Sequence, residues 1–187
     1  MSDEAGFEDL NEVKENMDYI YNQPDPRAYF RELNKLDYGI PDNAKPIFQK
    51  LIDNLRQRRD DTIHLLDLGC SYGVNAAILK HDLSMEDLYE HWGQNKMVGA
   101  TSEDVVAFDH KFYSGTDNRE DIQVTGLDQA ENAIAFAVES GLLDKGFATN
   151  LETEQLSGLA KKDLASVDLV TSTGADGYVT EKSFACL

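Results

Sequence analysis

In the stretch "HLLDLGCSYGVNAAIL", residues 64–79, an apolar run meets a turn of small residues and then a second apolar run with helical spacing. The residues able to do chemistry there are Asp67, Gly69, Cys70, Ser71 and Gly73, in the pattern D-x-G-x-x-x-G. Glycine at 69 lets the backbone turn sharply and approach a ligand with no Cβ in the way. Gly73 lets the following helix pack closely on the strand, and that helix's free amides then face the ligand, where they suit a carboxylate or other polar group. A second run, "DIQVTGLD", ends on Asp128. A carboxylate at the carboxyl end of such a strand can accept both hydroxyls of a ribose. The fingerprint G-x-G-x-x-G is absent, since position 71 is serine, and so is any Gly-Lys-Ser or Gly-Lys-Thr. Both absences argue against a pyrophosphate cradle and leave a nucleoside-like ligand without one.

Other reactive residue types have plainer readings. Cys70 has no histidine expected beside it, so it reads as a small loop residue rather than a nucleophile. His64, His81, His91 and His110 lack metal-ligand spacing, and no metal is expected. Asp109-His110 has the types of an acid–base pair, but its place in a helical run reads as an exposed face. Tyr29 and Tyr38, ahead of the glycine turn, fit closure over a ligand or packing into the core.

These residues must be positioned by the elements around them. "FEDLNEVKENMDYIY" has helical spacing, and "NQPDPRAYFRELNKL" breaks at Pro24 and restarts at Pro26, with Tyr29, Phe30, Leu33 and Leu36 as its stripe. A turn-rich connection leads to a third helix expected at about 45–58, with Ile47, Phe48, Leu51, Ile52 and Leu55 inward. Residues 1–60 thus read as a helical segment packing on a core formed by 61–187. That core alternates "TIHLLDL", a helix, "DIQVTGLD", the helix "QAENAIAFAVESG" closed by Gly141, "KGFATNL" and "SVDLVTST", after which Thr180 opens a last helix. Such alternation predicts an α/β fold with a doubly wound, mainly parallel sheet. Asp67 and Asp128 lie 61 positions apart, against about thirty for a plain βαβ unit. The excess, residues 81–116, reads as a two-helix insertion that either caps the ligand or only packs.

Charge narrows the partners. Thirty-five acidic residues against 17 basic ones leave a net charge of −18. No basic stripe interrupts it, so nucleic acid is excluded as a partner. "RQRRD" at 56–60 reads as the last turn of a helix. No run approaches the length of a membrane helix, the start of the sequence lacks a signal-peptide pattern, and two cysteines give no disulfide framework. The expectation is a cytoplasmic, acidic protein without membrane partners.

"LLDLGCSYG" resembles the first motif of class I S-adenosylmethionine-dependent methyltransferases, and "VTGLDQAENAIAFA" is similar to their second strand and helix. "GFATNLE" and "VDLVTSTGADGYVTEKSF" sit where the third strand, the fourth strand and the active-site loop would be, so the resemblance spans residues 63–184. It implies a Rossmann-like core that binds S-adenosylmethionine and transfers its methyl group to a small molecule. By position, Asp67, Gly69, Cys70, Ser71 and Gly73 would hold the methionine part, Asp128 and Gln129 the ribose, Asn150, Leu151 or Glu152 the adenine, and Tyr38 would close over the methionine end. Thr173, Asp176 and Tyr178 would be the acceptor-side residues. The family's sheet usually has seven strands, whereas this chain provides four in the order 3-2-1-4. The fourth is then an open edge for a second copy or a partner subunit to cover. Two other uses fit the same motifs: cyclising or cleaving the cofactor, or binding it as a non-catalytic subunit.

Overall fold

The computed structural model describes residues 18–175 and 179–187. Asp176, Tyr178 and most of the first expected helix lie outside the described residues.

Strand β1 (Ile63–Leu68) sits in the middle of the sheet because it is apolar on both faces. Ile63 and Leu65 enter one core, while Leu66 and Leu68 enter a second on the opposite face, as expected of a parallel strand covered on both sides. β2 (Ile122–Asp128) runs parallel to it with Asp67 opposite Gly126. β3 (Lys145–Ala148) adds beyond β2, with Ala148 opposite Asp128. β4 (Leu169–Thr171) pairs on the other side of β1, with Thr171 opposite Asp67. The all-parallel order is β3-β2-β1-β4, so the fold is α/β and Rossmann-like. The order reverses between β1 and β4, which makes the carboxyl end of β1 the switch point where such sheets open a crevice.

The larger core lies under the helices that precede β1 and those inserted after it. α1 (Asp18–Tyr21) and α2 (Arg27–Lys35) bring in Ile20, Tyr29, Phe30 and Leu33. α3 (Ile40–Arg56) adds Ile52, and α4 (Val74–Lys80) is buried along its whole length. The insertion forms α5 (Met85–Trp92) and α6 (Ser102–Tyr113), each opened by a capping box, Ser84 with Asp87 and Thr101 with Asp104. α2 and the insertion share one core. The Phe30 and Trp92 rings stack at 5.4 Å, and Arg27 donates to the carbonyls of Met97 (3.0 Å) and Ala100 (2.9 Å). α7 (Glu131–Glu139) ends before Gly141, whose φ of +82° suits a helix terminus. The second core, around Leu66, Leu127, Leu151 and Leu164, is covered by α8 (Gly158–Leu164) and flanked by the short α9 (Glu181–Ala185).

Four sequence expectations need correction. α3 begins at Ile40 rather than near 45, because Pro41 sits in its first turn, where a missing N–H costs nothing. Ile47 and Leu51 are exposed, at 62% and 41%, since only the Ile52 side of this helix meets the sheet and α4. Leu36 falls after the end of α2 and is exposed. Asp109 is not on an exposed face; it is buried and accepts from His91 Nε2 at 2.9 Å. α8 had no counterpart in the sequence reading, although Ser157 caps it by accepting from the Ala160 amide. Among the described residues no helix is long and apolar enough to cross a membrane.

Candidate functional site

A cavity of about 580 Å³ opens over the carboxyl ends of β1, β2 and β3. Its floor is the glycine turn, the Asp128 corner and the segment after β3. Tyr21, Asn22, Tyr29 and Tyr38 from the N-terminal helices form one wall, and the loop after β4 and residues of the C-terminal segment form another.

At the floor, Ser71 takes a left-handed backbone (φ +47°), and its amide donates to Asp128 Oδ2 at 2.8 Å. Asp128 Oδ1 accepts the Ala130 amide at 2.9 Å. The carboxylate is thus oriented by backbone on both sides of the β1–β2 junction, and each oxygen keeps a further lone pair for a ligand. Ser71 Oγ is buried beside the Tyr29 phenol without a hydrogen bond of good geometry among the described residues. Gly69 has φ +71°, and a Cβ placed on it would collide with that of Ala175. Gly174, also left-handed at φ +72°, sits under the Tyr38 hydroxyl. The loop after β4 therefore bridges from the glycine turn to the N-terminal helices. Backbone freedom at Gly69 serves that close approach.

Of the residues expected at the site, Gly69, Ser71, Asp128 and Gln129 line the cavity, as do Asn150, Leu151, Tyr38 and Thr173. Asp67, Cys70 and Gly73 do not. Asp67 is wholly buried beneath the floor, where its Oδ1 accepts from Asn75 Nδ2 (2.7 Å) and Thr171 Oγ1 (3.2 Å). Asn75 Oδ1 in turn accepts from Thr173 Oγ1 at 3.2 Å, so this relay links Asp67 to the cavity lining. Burial pushes the Asp67 carboxyl up to about 7. Cys70 is buried and its thiol is pushed up by the same loss of solvent, which makes it an inert loop residue. Gly73 (φ +83°) faces Ala137 and Leu142, so its small size lets the next strand–helix unit pack against the turn.

At the β3 end, Asn150 Nδ2 donates to Gln129 Oε1 at 2.9 Å, and Asn150 Oδ1 accepts the Glu152 amide at 3.0 Å. Glu152 accepts from the Thr180 amide, the Thr180 hydroxyl and the Ser183 hydroxyl, which hold its carboxyl down at about 2. Tyr21, Asn22 and Ser183 also line the cavity and were not foreseen. Asn22 accepts the Asn132 amide at 2.9 Å, a pairing across 110 positions that no local pattern announces.

The described lining residues include the carboxylates of Asp128, Glu152 and Glu154 and no lysine, arginine or histidine. Among the described residues no group of three or more histidine, cysteine, aspartate and glutamate side chains could hold a metal ion. Comparison with protein-family models, with curated proteins and with solved structures finds no match to this chain.

Proposed function

We propose that the cavity binds S-adenosylmethionine and that the protein is a cytoplasmic, class I-type methyltransferase acting on a small molecule. The observation that carries this reading is the line formed by the glycine turn, Asp128 and the segment after β3, along the carboxyl ends of three adjacent strands. An elongated nucleoside ligand fits such a line, with its ribose at Asp128 and its ends over β1 and β3. The carboxylates and tyrosine rings, with no basic side chain among the described lining residues, suit a ligand bearing sulfonium and ammonium charges and no phosphate.

When bound, the cofactor supplies a methyl group on a positively charged sulfur. The chain's own contribution is alignment: Asp128 and the floor hold the donor, and Thr173 faces the cavity where an acceptor would approach. Holding two reactants in attack geometry lowers a barrier by about 7–11 kcal/mol. A second reading, a non-catalytic binding subunit, draws on the outer edge of β4, which is unpaired among the described residues and where Val170 is 39% exposed.

Isothermal calorimetry with S-adenosylmethionine and S-adenosylhomocysteine tests the site. Saturable binding that falls about tenfold or more in Asp128→Asn, through loss of a charge-assisted hydrogen bond, is the expected result. No heat from folded protein at millimolar ligand would refute it. Binding without methyl transfer to any of a panel of small amines, thiols and phenols would favour the subunit reading.

A further inference from the structure

We propose that Glu152 is a positioning residue: it clasps residues 179–183 into place as the far wall of the cavity, so that a ligand over β3 and the C-terminal segment order each other. The clasp stands on its own contacts, whereas its coupling to a ligand rests on the reading of the cavity as a nucleoside-cofactor site.

Three donors converge on the Glu152 carboxylate, the Thr180 amide at 2.8 Å and the Thr180 and Ser183 hydroxyls at 2.7 Å each. They come from 28 and 31 positions away, so the contact joins two separate parts of the chain. Glu152 is itself held from behind. Its amide donates to Asn150, and Asn150 is tied to Gln129 at the end of β2. This relay starts beside Asp128 and ends on the C-terminal segment, and Gln129, Asn150, Glu152, Val179 and Ser183 all line the cavity.

Among the described residues the segment's other anchors are few. α9 has five residues, far too few to be stable by its own hydrogen bonds. Its apolar anchorage is modest: Val179 and Cys186 pack partly buried against the Leu66–Leu151 core, while Phe184 and Leu187 are 57% and 42% exposed. Removing the carboxylate therefore removes three hydrogen bonds that tie the wall to the β3 side of the cavity. A ligand whose ribose sits at Asp128 extends its base toward β3, against Asn150 on one side and Val179 and Ser183 on the other. Contact with that wall links its affinity to the order of the segment.

The test compares wild type, Glu152→Gln, and the double variant Thr180→Val/Ser183→Ala, which keeps the carboxylate and removes its side-chain donors. Each is digested with carboxypeptidase and followed by intact mass, with and without S-adenosylhomocysteine, and each is titrated calorimetrically with the same probe. Trimming from Leu187 past Thr180 is expected to be about tenfold faster in both variants, with probe affinity about tenfold lower, the scale of one lost charged hydrogen bond. The probe should slow trimming of the wild type, and circular dichroism should show the remainder folded. Equal trimming rates in wild type and variants overturn the clasp. Faster trimming with unchanged probe affinity overturns the coupling to the ligand. If wild type binds no probe, the cofactor reading and the coupling both fall, while the trimming rates still decide the clasp.

Discussion

Asp67 is wholly buried, and its Oδ2 has no hydrogen-bond partner among the described residues. Its carboxyl titrates at about 7 in the fold, against roughly 4 in an unfolded chain. Between those values the native state holds a proton that the unfolded state has released, so this group's contribution falls as pH rises from about 4 to 7 and is flat above. The difference amounts to something on the order of 4 kcal/mol. His81 works in the opposite direction: burial lowers it to about 4, so stability falls as pH drops from about 6.5 toward 4. The comparison that isolates Asp67 is therefore wild type against Asp67→Asn. The melting temperature of wild type should drop between pH 5 and 8 by more than that of the variant; parallel profiles would mean that Asp67 is not a buried acid. Gly69 offers a second test at this scale. Gly69→Ala places a side chain at φ +71° and against Ala175, and urea unfolding should show a loss of at least about 1–2 kcal/mol from the left-handed backbone alone.

The insertion is held by contacts among elements rather than by its own sequence. α5 and α6 meet through His91 and Asp109, whose side chains are each 1% exposed, and the Phe112 ring stacks on the imidazole at 3.9 Å. Burial pushes the Asp109 carboxyl up, and the His91 hydrogen bond pulls it back down. Taking away one member strands the other in an apolar setting. His91→Ala should therefore cost about 3–5 kcal/mol in urea unfolding. The double variant His91→Phe/Asp109→Leu, which leaves no orphan, should cost much less than either single change. A cost for the double variant equal to the sum of the two single costs would mean that the pair carries no coupling. The same elements support the cavity, because the Tyr89 hydroxyl of α5 donates to the Tyr38 carbonyl at 2.7 Å and so ties the insertion to the cavity wall.

For the whole molecule the dominant quantity is charge. A net charge of −18 opposes self-association at neutral pH, against the pull of the β4 edge, which is unpaired among the described residues, and of the exposed Ile47, Leu51 and Val170. That protection vanishes near the isoelectric point of about 4.4. Light scattering should show self-association peaking there while circular dichroism still reports folded protein. Val170→Lys, which charges the edge strand, should suppress the association. Scattering that does not change with pH would mean that neither edge nor charge governs association.

By itself the sequence determined whatever depends on neighbours in the chain. The two-faced apolar run of β1, the glycine turn with Asp128 at the end of the next strand, the helices of the insertion and the opening of α9 at Thr180 were all legible, because period and capping are local properties. The order β3-β2-β1-β4 followed from strand–helix alternation together with the family resemblance. What tertiary structure alone decided is which side chains meet. Asp67 points beneath the floor rather than into the cavity, Ile47 and Leu51 face outward on a helix that has more apolar surface than partners, and Asp109 finds His91 instead of solvent. Glu152 is committed to Thr180 and Ser183, and Tyr21 and Asn22 arrive at a cavity built mostly from residues some fifty to one hundred and sixty positions later in the chain. A parallel sheet brings such groups together because its crossovers return every strand to the same end, so the partners at that end are set by strand order and not by distance along the sequence.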